Sequence, residues 1–152
     1  MNQQQIKTAL TDLCEAYVQK RIDTARQAME SAQEAANSES KSSAGDKYET
    51  GRAMAQLERD RHAQLLAEAL KLKRELERIK IDKTYETVQP GSVVITNRGT
   101  FFMSVGAGKL AFDDAEYIAV SVASPIGNAL SGRRTGDTVP FNKMMYQVLT
   151  IY

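Results

Sequence analysis

The chain has 152 residues, and its 20 basic and 19 acidic side chains almost cancel, which leaves a formal net charge of +1 at pH 7. That balance excludes the strong positive charge with which many proteins bind bare nucleic acid or anionic membranes. No apolar run approaches the ~20 residues needed to cross a bilayer, and the first residues lack the pattern of a signal peptide. The single cysteine, Cys14, cannot form an internal disulfide, so we expect a cytoplasmic protein that makes no membrane contact.

The composition changes near residue 82. Residues 1–82 contain no proline, whereas residues 83–152 contain all three prolines and most of the glycines. Pro90 and Gly91 mark a turn into extended structure just after this change. We therefore predict an α+β protein of two domains. Residues 1–82 form an antiparallel coiled-coil hairpin, and residues 83–152 form a small antiparallel sheet with one short helix.

Apolar residues of the first domain recur every three or four positions, as in amphipathic helices. Each helix has a single apolar stripe, so we expect each stripe to be buried against the other helix. Serine-rich, polar residues near 38–47 predict the turn between the helices, and small alanines replace larger residues towards this tip. The predicted seam consists of Leu10, Cys14, Val18, Ile22, Ala25, Met29, Ala32 and Ala36 on one helix and of Leu65, Ala69, Leu72, Leu76 and Ile79 on the other.

The tip is a candidate functional site because it carries carboxylates. Glu39 and Asp46 could together hold a magnesium ion, which prefers oxygen ligands. The structural interpretation of Asp46 is a helix N-cap, with Glu49 three residues later completing a capping box. For Asp46 and Glu49 the cap is the favoured interpretation.

Three further motifs have structural interpretations that we favour. The stretch "VGAGKL" (105–110) lacks the spacing of a phosphate-binding loop, so a glycine turn is predicted there. His62 is predicted to be a partly exposed seam residue. The basic run "KLKRELERIK" (71–80) fits a solvated helix face, although it could also contact phosphates or an acidic protein surface.

The second domain alternates short β-type runs with turn residues. Strands are predicted at 92–96, 100–105, 117–122, 137–141 and 144–152. One helix interrupts them, with Ser124 as its N-cap, Pro125 at its first position and Gly132 just past its end. Pro140 is predicted at a strand end or edge because proline cannot donate to a ladder.

Two stretches, "SVASPIGNALSGRRTGDTV" (121–139) and "GDKYETGRAMAQLE" (45–58), resemble the bacterial Gre transcript-cleavage and elongation factors (GreA/GreB-like). The resemblance implies an FKBP-like carboxy-terminal domain that docks on RNA polymerase. By this resemblance the candidate docking residues are Ser124, Pro125, Ile126 and Gly127. The hairpin of such factors enters the secondary channel of the polymerase, so nucleic acid is contacted only within the transcription complex.

The tip departs from the pattern of the Gre cleavage factors. In these factors two acids lie seven and four residues before a tyrosine, and they help to hold a second magnesium ion at the polymerase active site. Counting back from Tyr48 gives Lys41 and Ala44, neither of which offers a carboxylate. We therefore expect a monomeric elongation regulator that occupies the channel without the usual tip acids, with no catalytic residue and no cofactor of its own. The alternative is a cleavage-stimulating factor in which Glu39 and Asp46 hold the magnesium.

Three other functions remain open at this level. A polymerase-binding inhibitor that competes with cleavage factors needs the same docking surface. A structural adaptor would pair its coiled coil with another chain. An FKBP-like peptidyl-prolyl isomerase would need a pocket lined by aromatic side chains, for which the candidates are Phe101, Phe102, Phe112, Tyr117, Phe141 and Tyr146.

Overall fold

The computed structural model describes residues 1–39 and 46–152, and it describes the side chains of these residues except at 39 and 46–48. Two long helices come first, α1 (Gln3–Glu39) and α2 (Asp46–Arg78). The remaining elements are, in chain order, β1 (Val93–Thr96), β2 (Gly99–Met103), β3 (Gly108–Phe112), β4 (Ala115–Val120), α3 (Pro125–Leu130), β5 (Thr138–Phe141) and β6 (Met144–Ile151).

The predicted α+β class is confirmed, with two long helices before a six-stranded sheet and one short helix. The strand order is β3-β4-β2-β1-β6-β5. The sheet is mixed, because β2 and β4 run parallel while the other paired strands are antiparallel, as predicted. The parallel pair arises because the chain reverses twice between β2 and β4, once on entering β3 and once on leaving it.

Strand β3 was missed by the prediction, which placed only a glycine turn in this stretch. It is followed by Asp113 and Asp114, which have φ angles of 50° and 58° and connect β3 directly to β4. Asn142 and Lys143, with φ angles of 53° and 65°, connect β5 to β6 in the same way. Two consecutive residues with positive φ are the signature of a type I′ turn, whose twist matches that of a β-hairpin.

Contacts divide the chain into two compact units, one made of Met1–Tyr17 with Arg74–Tyr152 and the other of Val18–Lys73. The predicted domain boundary at residue 82 stays a prediction, and the first compact unit contains the start of α1 and the end of α2 together with the strands. One contact that joins the start of α1 to the rest of this unit is made by Cys14, which is fully buried and places its Sγ 3.5 Å from Ser104 Oγ.

In the first unit, α3 and the sheet enclose an apolar core. Ile126 on α3 packs against this core, and Pro140 is exposed on the edge strand β5, as predicted. The start of α1 is fixed by a reciprocal cap, in which Asn2 Oδ1 accepts from Gln5 N at 2.8 Å and Gln5 Oε1 accepts from Asn2 N at 3.0 Å. The core residues are Val88, Val94, Phe101, Met103, Val120, Leu130, Val139 and Val148.

In the second unit, burial decreases along α1. Val18 and Ile22 are fully buried, whereas Ala32 is only half-buried. The prediction for Leu65 on α2 is wrong, because its side chain is 41% exposed and the adjacent Leu66 is half-buried instead. The cause is a one-residue offset between two neighbouring leucines, which rotates a side chain by about 100° around a helix of 3.6 residues per turn.

Candidate functional site

The predicted tip residues lie at and between the ends of the two long helices. Glu39 is the last residue of α1, and Asp46 is the first residue of α2. Lys41 and the side chains of Glu39, Asp46 and Tyr48 lie outside the described residues. The sharing of a magnesium ion by Glu39 and Asp46 therefore stays a prediction. Glu49, in the first turn of α2, is exposed.

A polar groove lies between α1 and α2, close to the helix ends that carry the predicted tip. Its volume is about 300 Å³. Arg59 Nη1 donates to Gln33 Oε1 at 3.3 Å, and Gln33 Nε2 in turn donates to Asn37 Oδ1 at 3.2 Å. We call it the arginine groove, and its lining residues are Gln33, Ala36, Asn37, Arg52, Gln56 and Arg59.

The chemistry of the arginine groove suits an anionic ligand. Guanidinium groups present several N–H donors in a plane that matches a phosphate or a carboxylate. Arg59 already donates to Asp60 Oδ1 at 3.0 Å and keeps a half-buried side chain. Half-buried Ala36, with its small side chain, leaves space beside these polar groups. Sequence reasoning missed this site, although Arg52, Gln56 and Arg59 have the i, i+4, i+7 spacing of one helix face.

The candidate docking residues on α3 are held by local hydrogen bonds. Ser124 is the N-cap as predicted, since its Oγ accepts from Gly127 N at 3.1 Å and donates to Ser121 O at 2.7 Å. Gly127 is buried and Ile126 is half-buried against the core, whereas Pro125 is exposed. The contacts of Ser124 and Gly127 stabilise the helix, and docking by the four residues stays a prediction.

A buried lysine is a feature that sequence reasoning missed. Lys7 on α1 is only 1% exposed, and its Nζ donates to Lys83 O at 2.8 Å. The ammonium group also lies 4.8 Å from the ring centroid of Tyr85 and 5.8 Å from that of Tyr152. Burial lowers the pKa of Lys7 from 10.5 to about 8. The signal was present in the sequence, because Lys7 lies three residues before Leu10 on the apolar stripe of α1.

The remaining predicted residues occupy ordinary structural positions. His62 is half-buried on α2, with its Nε2 3.5 Å from Glu58 Oε2. In the basic run of residues 71–80, Leu76 is buried and the charged side chains are exposed, as on a solvated helix face. Burial raises the pKa of the Cys14 thiol, which makes a reactive thiolate unfavourable there.

The described part of the chain also bears on metal binding and on membrane spanning. Among the side chains that the structure describes, those of residues 1–38 and 49–152, no group of three or more His, Cys, Asp or Glu is placed to hold a metal ion. Within the same residues, no helix is both long enough and apolar enough to cross a membrane.

Comparisons with known proteins add a structural likeness. No family model matches the chain, and no curated protein matches it significantly. Among solved structures, the crystal structure of GreA factor homolog 1 (Gfh1) protein of Thermus thermophilus is similar over 89% of this chain and 92% of that chain. The sequence identity is 20% and the TM-score is 0.34, so this likeness supports no conclusion about the function of the chain.

Proposed function

We propose that the chain is a Gre-like regulator of transcription elongation. It binds RNA polymerase through its sheet region and inserts the α1–α2 pair into the secondary channel. It acts by occupying the channel as a monomer in the cytoplasm, and it contacts nucleic acid only within the transcription complex. It is not an enzyme itself and has no cofactor of its own.

The observation that carries this proposal is the combination of two features in one chain. The first is a pair of helices of 37 and 33 residues, each of which spans about 50 Å or more at 1.5 Å per residue. The second is the stretch 121–139, which resembles the docking region of the Gre factors and contains the capped helix α3. Helices of this length, in the same chain as a docking region, support a function in which a narrow channel is entered.

The tip supports regulation without the usual cleavage chemistry. Lys41 and Ala44 stand where the Gre cleavage factors carry their two acids. A lysine repels a divalent cation, and an alanine offers no ligand atom. The arginine groove provides a different contact, because a guanidinium can donate hydrogen bonds to the phosphates of RNA in the channel.

The proposal is tested with a backtracked elongation complex of a cognate RNA polymerase in the presence of magnesium. We expect the wild-type chain to stimulate no RNA cleavage and to inhibit cleavage by a genuine Gre factor as its concentration rises. Failure to compete would refute channel binding. Cleavage that is lost in the variant Glu39→Ala/Asp46→Ala but kept in Glu49→Ala, a control for an exposed acid of the same region, would establish the magnesium-dependent alternative.

The isomerase and adaptor alternatives are tested by separate measurements. A peptidyl-prolyl isomerase would accelerate isomerisation of a proline peptide. Phe101 is 4% exposed and Phe102 is fully buried, so these two aromatics contribute to the core of the sheet region. An adaptor would dimerise with increasing concentration, which sedimentation would detect, whereas the proposed regulator sediments as a monomer.

A further inference from the structure

A second groove lies beside the start of α1, in the unit that contains the sheet. Its volume is about 530 Å³, and its wall includes Ile6, Lys7, Lys83, Thr84 and Tyr152. This volume falls within the range of small-molecule sites, about 300–1,000 Å³. We call it the lysine groove, because two lysines belong to its wall.

The Lys7 ammonium lacks an anionic partner. Among the described side chains, those of residues 1–38 and 49–152, no carboxylate lies within 4.0 Å of it, and the acceptors it has are the neutral Lys83 carbonyl and two tyrosine rings. Buried charges in proteins are ordinarily paired with an opposite charge, because an isolated charge loses its hydration on burial. The protein therefore carries a buried positive charge on the wall of a groove without supplying the counter-charge.

A second ammonium group lies near the same tyrosine ring as that of Lys7. The exposed Lys83 places its own Nζ 4.9 Å from the ring centroid of Tyr85, the same ring that Lys7 approaches. Burial raises the pKa of both Tyr85 and Tyr152, so these phenols stay neutral near pH 7. Asp82 contributes a smaller electrostatic effect on Tyr85. An anion that enters the groove would meet a wall that contains Lys7, Lys83 and the neutral Tyr152.

We propose that the lysine groove binds a small organic carboxylate with an apolar body. Its carboxylate lies towards Lys83 and Lys7, and its apolar part packs on Ile6 and the ring of Tyr152. The carboxylate supplies the counter-charge that Lys7 lacks, while the aliphatic and aromatic side chains favour a ligand that also buries apolar surface. This site is separate from the predicted tip and does not depend on the proposed function.

The first measurement is calorimetric titration of the full chain with octanoate as the probe, and with 1-octanol as the neutral probe of equal length. We expect octanoate to bind with a dissociation constant of about 1 mM or tighter, and octanol to bind at least tenfold more weakly. No heat of binding with octanoate at ten times that concentration would overturn the proposal, and so would equal affinity for the two probes.

The second measurement tests whether Lys7 responds to the ligand. Burial holds its pKa at about 8, and a nearby carboxylate raises it again, so binding at pH 8 takes up as much as about half a proton. Titration in two buffers of different ionisation enthalpy measures this uptake. Binding heats that are independent of the buffer would show that the carboxylate does not reach Lys7, which contradicts the proposed geometry.

Variants locate the site. Lys83→Gln removes an exposed charge from the wall of the groove and should weaken octanoate binding about three- to tenfold. Lys80→Gln removes an exposed lysine of the same segment that does not line the groove, and should change binding less than twofold. Lys7→Met should abolish the proton uptake. Equal effects of Lys83→Gln and Lys80→Gln would refute the assignment of the groove even if Lys7→Met fails to fold.

Discussion

The substitution Gly127→Ala tests whether the start of α3 packs closely against Ser121. A Cβ atom at Gly127 would lie 1.9 Å from Ser121 O and 2.8 Å from Ser124 Oγ, whereas ordinary van der Waals contact begins at 3.4 Å. In Gly127→Ala, the start of α3 must therefore move away from Ser121 by more than an ångström. That movement breaks the two hydrogen bonds through which Ser124 Oγ joins Ser121 O and Gly127 N.

Opposing contributions decide the expected size of the effect. Loss of the serine cap costs about 1 kcal/mol, and overpacking of a closed site costs about 1–3 kcal/mol. Alanine regains about 1 kcal/mol because it favours a helix more than glycine does. The net prediction is a free energy of unfolding that is lower by about 1–3 kcal/mol in Gly127→Ala.

Urea denaturation followed by circular dichroism measures this loss as a lower midpoint at an unchanged slope. The matched control is Gly106→Ala, where an added Cβ meets no atom within 4 Å. That variant should stay within about 0.5 kcal/mol of the wild type. Equal stabilities of the Gly127 and Gly106 variants would refute the close approach between α3 and Ser121.

Three further predictions concern the lysine, the seam and the arginine groove. Burial lowers the pKa of Lys7 below that of the unfolded chain, so the unfolded state binds the proton more tightly and the free energy of unfolding rises with pH from about 8 towards 10.5. Between pH 7.5 and 9 the titration of Lys7 alone raises the free energy of unfolding by about 1 kcal/mol, and the buried thiol and phenols act in the opposite direction. A Lys7→Met variant whose free energy of unfolding, measured with urea, still rises by this amount contradicts the assignment. Leu66→Ala should lower the free energy of unfolding by about 1–3 kcal/mol and Leu65→Ala by less than about 1 kcal/mol, because Leu66 is half-buried and Leu65 is exposed. A lower denaturation midpoint for Leu65→Ala than for Leu66→Ala would show that Leu65 is the seam residue. Arg59→Ala should weaken competition with a Gre cleavage factor about three- to tenfold. The control Arg61→Ala replaces an exposed arginine that pairs with Glu58 on α2, and it should leave competition unchanged. Equal losses in the two variants would mean that overall charge, and not the arginine groove, governs binding.

The elements that the sequence predicted well are those with strong local signals. The serine and proline at the start of α3 specify a helix end by themselves, and the structure places both as expected. Strand β3 has no such signal, because Leu110 is its one buried residue and its ends are a glycine and a tight turn. Its position depends on pairing with β4, which is information that a single segment does not contain. The offset between Leu65 and Leu66 has the same origin, since apolar spacing alone cannot choose between adjacent leucines.

The candidate sites were harder to predict than the fold. Residue identity indicated the carboxylates of the tip, and the spacing of Arg52, Gln56 and Arg59 could have indicated a polar helix face. The arginine groove also needs Gln33 from α1, and only the folded chain brings that side chain to Arg59. Lys7 shows the same limit. Its place on the apolar stripe could have suggested burial, but its partners belong to residues about 75 or more positions further along the chain.

The decrease in burial along α1 has a consequence for how this protein can change over generations. Substitutions at exposed positions ordinarily alter stability by about 0.5 kcal/mol or less, and the cost increases with burial until it is several times larger in a packed core. Ala32 and its neighbours near the end of α1 bury much less than Val18 and Ile22 do. The distal part of the helical pair can therefore accept new side chains with little penalty in folding, and its chemistry can diverge while the sheet region keeps its sequence constraints.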